Sequence, residues 1–230
     1  MTFRTIVVIG ASRGIGEEIV LQLSQNKENH IVALSRNVEV MSQKFNAENI
    51  SFYHFDLSSQ NIHKNLSEIF QNIPTVDILI NNAGVLIKKP FLELTENDLK
   101  KSYQINSIGL IWATKFFIPK MEKNGGHILN ISTMGAIQGS VKFPGLVAYT
   151  SSKAGLTTFT ELFAEEYKNS KIKMNCLCLG AVKTEMFEKA FPDGEAPVTA
   201  SEMAEYIVDF SLNGARFYNG KILSVSSSTP

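Results

Sequence analysis

A doubly wound α/β fold, with one parallel sheet of seven strands and helices on both faces, is the architecture this sequence predicts. Three observations carry it. Short β-branched apolar runs alternate with longer amphipathic stretches along nearly the whole chain, which is the rhythm of strand and crossover helix. The runs are continuously apolar instead of alternating, as strands covered on both faces must be. The first run leads at once into a glycine-rich turn and then a helical pattern, the opening of a βαβ unit.

Taken in order, the strands are expected at residues 5–9, 31–35, 50–55, 76–80, 127–131, 172–178 and 221–225. Between them the helical period places helices near 14–25, 59–72, 95–123, 149–169 and 200–211. Asn61, Thr95 and Thr199 stand at helix starts, and Asp98 three residues after Thr95 comes close to a capping box. No low-complexity linker, charge block or internal repeat interrupts the pattern. The chain therefore reads as a single domain over residues 1–230, and its 44% hydrophobic content suffices for a sizeable core.

Lys plus Arg (22) balance Asp plus Glu (22), so no net field draws nucleic acid or an anionic membrane, and a small-molecule ligand is expected. Met1 is followed closely by Ile6-Val7-Val8-Ile9, too short a run for a secretory leader, and no apolar run approaches a bilayer span. Cys176 and Cys178 alternate within one strand pattern and so point to one sheet face. Two ligands without a nearby His or carboxylate cannot complete a zinc shell, so they are expected as buried thiols with no metal, in a reducing cytoplasm.

Gly10-Ala11-Ser12-Arg13-Gly14-Ile15-Gly16 lies between the first strand and the first helix. A turn there aims unpaired backbone N–H groups and the positive helix end at a pyrophosphate, and glycines let the backbone approach it. This makes the fold Rossmann-like, although the spacing is Gly-x3-Gly-x-Gly. The second strand ends in Leu34-Ser35-Arg36-Asn37, with no acid to bind a ribose 2′-hydroxyl. Arg36 and Arg13 can instead clamp a 2′-phosphate, which points to NADP(H).

Tyr149-Thr150-Ser151-Ser152-Lys153 opens a later helix and puts tyrosine and lysine on one face. At ~4 Å and an effective dielectric of ~20, an ammonium stabilises a phenolate by about 4 kcal/mol, or roughly three pKa units. With the glycine turn, Asn81-Asn82-Ala83-Gly84, Asn106, and Ser132 followed by Thr133-Met134-Gly135, the chain resembles the short-chain dehydrogenase/reductase family from about residue 5 to 225.

That resemblance implies an NADP(H)-dependent oxidoreductase interconverting a carbonyl and an alcohol by hydride transfer. Tyr149 would be the acid/base and Ser132 a donor to the same oxygen. Lys153 would bind the nicotinamide ribose and lower the Tyr149 pKa, and Asn106 would hold a water that relays protons. Each also has a plainer role: strand-end cap for Ser132, helix-kink residue for Asn106, solvated side chain for Lys153. Cofactor contacts are implied for Gly10, Ser12, Arg13, Gly14, Ile15, Gly16, Arg36, Asp56, Leu57, Asn82, Ala83 and Gly84, and for Gly180, Val182 and Thr184 with Tyr149 and Lys153. Asp56 reads equally as a helix-capping acid. The family further implies a homodimer or homotetramer.

The chain departs from the family pattern at several points. Ile9 replaces Thr before the glycines, Leu179 replaces Pro before Gly180 and is expected to loosen that loop, and residues 139–145 look inserted between Ser132 and Tyr149. Val225-Ser226-Ser227-Ser228 replaces Val-Asp-Gly-Gly near the subunit contact. Ile137, Val141, Phe143, Leu146, Met186, Phe187 and Phe191 suggest an apolar or amphipathic carbonyl substrate, and residues 185–197 suggest a lid. A 3-oxoacyl thioester is the alternative substrate, with Lys171 and Lys173 hinting at an acidic carrier. A binder of NADPH without turnover is the alternative of a different class.

Overall fold

The computed structural model describes residues 3–45 and 47–227; Met1 and Ser228 lie outside the described residues. Strands β1 (Arg4–Ile9), β2 (Asn29–Ser35), β3 (Ile50–His54), β4 (Ile78–Asn81), β5 (Gly126–Thr133), β6 (Ile172–Leu179) and β9 (Ile222–Val225) form one parallel sheet in the order β3-β2-β1-β4-β5-β6-β9. A separate parallel ribbon pairs β7 (Val182–Lys183) with β8 (Val198–Thr199). All seven expected strands form, and β4 lies two residues later at its start than the apolar run suggested.

The strand period of two divides the core. Ile6 and Val8 pack toward α1 (Gly14–Ser24) and α8 (Ala200–Asn213) with Ile19, Leu23 and Ile207. Val7 and Ile9 face the opposite side, with Leu66 of α3 (Ile62–Ile69), Phe117 of α5 (Gly109–Met121) and Leu156 of α6 (Val147–Glu166). Full burial of each such side chain contributes about 1.5–3 kcal/mol.

Two helices begin with complete capping boxes: α4 (Glu96–Tyr103) with Thr95 and Asp98, and α8 with Thr199 and Glu202. Asn61 precedes α3 without a side-chain cap bond. The long helix expected over 95–123 forms, but a π-helical segment at Gln104–Ile108 divides it into α4 and α5. The short helices α2 (Val38–Lys44) and α7 (Glu185–Ala190) went unexpected, since neither is long enough to show a helical period.

Strand order reverses between β1 and β4, whose neighbours lie on opposite sides of the pair. Above their carboxyl ends opens a crevice, the place where doubly wound sheets bind ligands.

Candidate active site

The crevice is a cavity of about 690 Å³. Its wall includes Gly10, Ser12, Arg13, Gly14 and Ile15 of the turn, Arg36 after β2, Asp56 and Leu57 after β3, and Asn82, Ala83 and Gly84 after β4. Ser132, Tyr149 and Lys153 follow, then Gly180, Val182 and Thr184. Gly16 and Asn106, both expected at the site, do not line it.

Gly16 has a packing role instead. A Cβ there would stand 2.0 Å from the Gly10 carbonyl oxygen and 2.5 Å from Asn82 Nδ2. Gly10 takes φ of 89°, and a Cβ would meet Ala83 Cα at 2.5 Å. The two glycines let α1, the turn and the β4 loop close on one another, and Asn82 Nδ2 donates to Gly10 O at 2.8 Å. The start of α1 carries no side-chain cap, in contrast to α4 and α8. Ser12, Arg13, Gly14 and Ile15 line the cavity with the positive end of α1 behind them, a fit for a pyrophosphate.

At the other end β5 and α6 meet. Lys153 is only 4% exposed and its Nζ donates to Ala83 O at 3.1 Å and Ile131 O at 2.9 Å. Burial pulls its pKa down to about 8, against a smaller opposing influence of Cys176 and Cys178. Burial pushes Tyr149 up to about 12, countered in part by a hydrogen bond with the Thr133 side chain. This differs from the expected Lys153-induced depression: Lys153 is engaged by two backbone carbonyls, and desolvation governs the phenol. Ser132, at the end of β5, donates from Oγ to Lys153 O at 3.1 Å, and Tyr149 stands on the same cavity wall, hydrogen-bonded to Thr133.

Asn106 lies fully buried in the π-helical segment. Its Oδ1 accepts from Val85 N at 2.7 Å, and its Nδ2 donates to Val85 O and Ser152 Oγ, both at 2.9 Å. The side chain ties the β4 loop to α6, and both amide hydrogens are committed to that task. The extra residue of a π turn is what re-aims this side chain inside an otherwise regular helix.

Asp56 Oδ1 accepts from Ser58 N at 2.9 Å and from Ser58 Oγ at 2.8 Å. Burial raises its pKa, but the Ser58 hydrogen bonds and the nearby Arg36 outweigh this and leave it lowered. Asp56 therefore caps no helix, contrary to one reading of the sequence: it closes a turn with Ser58, and it lines the cavity wall.

Over the apolar half of the cavity lie Val141, Phe143, Leu146, Met186, Phe187 and Phe191. Phe191 meets Phe143 edge-on at 5.8 Å and Phe187 at 5.4 Å. Lys88 holds the same segment, donating to Ala190 O at 2.7 Å with its Nζ 4.1 Å from the Phe191 ring. Ribbon β7–β8 joins the two ends of residues 185–197, the segment expected to act as a lid, which folds partly as α7. Leu179 does not loosen its loop: it extends β6, is buried, and is followed by a Gly180 N to Val225 O bond of 2.9 Å.

Sequence reasoning missed Thr133, Cys178, Glu185 and Ser226. Cys178 pairs with Ser132 across β5 and β6 and hydrogen-bonds its side chain. Ser226 lines the cavity, and a Cβ on Gly180 would stand 2.6 Å from its Oγ. Strand register brings Cys178 beside Ser132, whereas Glu185 reaches the cavity as the first residue of α7.

Residues 4–195 match the family model described as short chain dehydrogenase. The chain belongs to the short-chain dehydrogenase family. Among curated relatives, the 3-amino-tetrahydro-pyrrolizinone reductase of Xenorhabdus hominickii is 31% identical over 201 residues, covering 85% of this chain and 67% of that protein. The 3-oxoacyl-[acyl-carrier-protein] reductase FabG of Aquifex aeolicus is 30% identical over 187 residues, covering 78% and 74%. Among solved structures, ElxO with NADP bound superimposes with a TM-score of 0.83 at 26% identity over 96% of each chain. This short-chain dehydrogenase is accordingly an oxidoreductase of the carbonyl and alcohol class. Among its described residues no helix is long and apolar enough to cross a membrane.

Proposed function

We propose that this chain, as one catalytic domain over residues 1–230, is an NADP(H)-dependent oxidoreductase interconverting an apolar carbonyl compound and its alcohol. The observation that carries it is the joining of Ser132, Tyr149 and Lys153 in one cavity with an uncapped helix start and two arginines at its far end. The backbone of residues 12–16 would hold the pyrophosphate, Arg13 and Arg36 the 2′-phosphate, and Lys153 the nicotinamide ribose. NADP bound to ElxO supports this choice of cofactor.

When bound, the nicotinamide supplies or takes up the hydride. Tyr149 holds the proton that the carbonyl oxygen gains on reduction, and its raised pKa keeps it protonated across the neutral range. Ser132 has one hydroxyl proton, now directed at Lys153 O; turned to the substrate oxygen, it stabilises the developing charge. Asn106 acts as a positioning residue through Val85 and Ser152. The phenylalanines of the lid exclude water and select an apolar substrate.

A 3-oxoacyl thioester is the second reading, favoured by the 3-oxoacyl-[acyl-carrier-protein] reductase relative. Lys171 and Lys173 give it no support, because they lie at the amino end of β6, across the sheet from the cavity. We further propose a homodimer or homotetramer in the cytoplasm. Exposed Ile108 and Trp112 on one helical stretch and Leu162 on α6 support association, and the free buried thiols of Cys176 and Cys178 suit a reducing compartment. A panel of ketones, aldehydes and acyl thioesters, followed by loss of NADPH absorbance, tests the reading. No turnover of any of the three classes would leave the non-catalytic NADPH binder ahead.

A further inference from the structure

Arg13 is not free to meet an incoming phosphate. Its guanidinium donates to Glu185 Oε2 at 3.1 Å, and the other carboxylate oxygen of Glu185 accepts from Lys189 at 2.5 Å. Glu185 is the first residue of α7, so the pair joins the glycine turn to the base of the lid. The same junction is packed as well as charged: a Cβ on Gly14 would stand 3.4 Å from the Thr184 methyl. Lys189 and Arg13 hold the Glu185 carboxyl below its ordinary value, so it is ionised at neutral pH. Both Arg13 and Glu185 line the cavity. Arg36 differs, because among the described residues it makes no salt bridge.

We infer that Glu185 is a specificity-determining residue that competes with the cofactor's 2′-phosphate for Arg13, and so holds the preference for NADP(H) below what the two arginines alone would give. The inference rests on the 2′-phosphate assignment made above. A guanidinium has five donors but one charge, and transferring it from a carboxylate to a phosphate costs the first ion pair. A ligand without a 2′-phosphate leaves the Arg13–Glu185 pair intact and bears no such cost. The lid is thereby linked to cofactor identity, since only a 2′-phosphorylated ligand draws Arg13 away from the base of α7. Arg13 and Glu185 are both more than half exposed, so the competition is modest: exposed pairs of this kind correspond to about a twofold to fivefold change in affinity.

Adenosine 2′,5′-bisphosphate and 5′-AMP isolate the effect, because neither carries a nicotinamide to contact the rest of the lid. Calorimetric titration of both, in low salt, would be run on the unaltered protein, Glu185→Gln, Arg13→Ala and the double variant. Glu185→Gln should tighten the bisphosphate by about twofold to fivefold and leave 5′-AMP unchanged. In the Arg13→Ala background the same replacement should have no effect, and added salt should shrink the gain in the single variant. Exposed Glu185 can change without disturbing the core, and equal melting temperatures would verify it. Weaker or unaltered bisphosphate binding in Glu185→Gln overturns the inference, as does a gain that persists without Arg13. If the unaltered protein binds the bisphosphate no better than 5′-AMP, the 2′-phosphate assignment itself falls and takes this inference with it. A clear preference that ignores Glu185 removes this inference alone.

Discussion

Hollows of nearly equal size open at the two ends of the sheet, about 690 Å³ at the carboxyl end and about 620 Å³ at the amino end. Their chemistry is opposite. Helices return antiparallel to the strands of a doubly wound sheet, so helix starts gather at the carboxyl edge and helix ends at the amino edge. The carboxyl hollow has the uncapped start of α1, the buried Ser132 and Lys153, and the half-buried Tyr149 on its wall. The amino hollow brings Arg4, Lys171, Lys173 and Arg216 beside Ser211 and Leu212 in the last turn of α8. Among the described residues none of these four cations makes a salt bridge. Cations beside carbonyl ends complement the helix dipoles, which accounts for them without a ligand. His127 below them is buried, bonded to Ser211 O and Asn175, and its pKa is lowered by burial. Volume alone thus fails to mark a site. What separates the two hollows is the uncapped start of α1 and the Ser132, Tyr149 and Lys153 set, which have no counterpart among the residues lining the amino end.

The sharpest way to break that contrast is Tyr149→Phe. It keeps the ring and removes the phenolic proton, so turnover should fall by a factor of about a hundred or more while cofactor affinity barely changes. Steady-state rates with NADPH titrations in parallel would check both parts. Near-normal turnover would dissolve the distinction between the two ends.

Next in size is Lys153→Met, which should lower turnover and also weaken cofactor binding by about tenfold, since a charged hydrogen-bonding group is lost. It carries a pH signature as well. Burial holds Lys153 at about 8, against 10.5 ordinarily. Above pH 8 the folded chain releases this proton while the unfolded chain keeps it, so stability gains from this group as pH rises toward 10.5. Tyr149 acts in the opposite sense only higher up, from 10 to about 12, where the unfolded phenol ionises first. Urea midpoints between pH 7 and 10 should therefore climb less, or fall more, in Lys153→Met than in the unaltered protein. Parallel curves would mean that Lys153 is not a desolvated cation.

A smaller effect is expected from Arg36→Asp. NADPH should bind at least about tenfold tighter than NADH to the unaltered chain, and the substitution should erode or reverse that ratio by turning attraction into repulsion. Fluorescence titration of both cofactors measures it, and an unchanged ratio would remove Arg36 from the site.

The smallest effect belongs to the amino end. Replacing Lys171 and Lys173 together with Gln should leave turnover within about twofold and lower the melting temperature by about 1–3 °C, the size of a weak dipole contribution. A large loss of turnover with any substrate in the panel would give the amino hollow a function beyond complementing the helix dipole.

Where residues act through short-range chain geometry, the sequence was legible. Continuous apolar runs placed every strand of the main sheet because burial on both faces leaves no room for polar alternation. The turn from Gly10 to Gly16 and the Tyr149–Lys153 spacing are local, so their chemistry could be read before any fold was known. Thr95 with Asp98 forms the capping box that their spacing suggested. Much less legible were the lid's short helix α7, the ribbon β7–β8 and the π turn at Asn106, where no segment is long enough to display its period.

Local sequence was enough to read the doubly wound architecture, the place of the glycine turn, and the three residues Ser132, Tyr149 and Lys153 that the fold brings to one cavity. Tertiary structure alone decided how these groups are tuned and by whom. Cys178 lies beside Ser132 through strand register, Glu185 beside Arg13 across 172 residues of chain, and Lys153 between the carbonyls of Ala83 and Ile131. A four-residue spacing suggested that Lys153 would depress Tyr149, yet burial by the surrounding fold raises it to about 12. Spacing along a chain fixes which groups are neighbours on one helix. Desolvation and long-range pairing depend on what the rest of the chain packs around them, and that is a property of the fold.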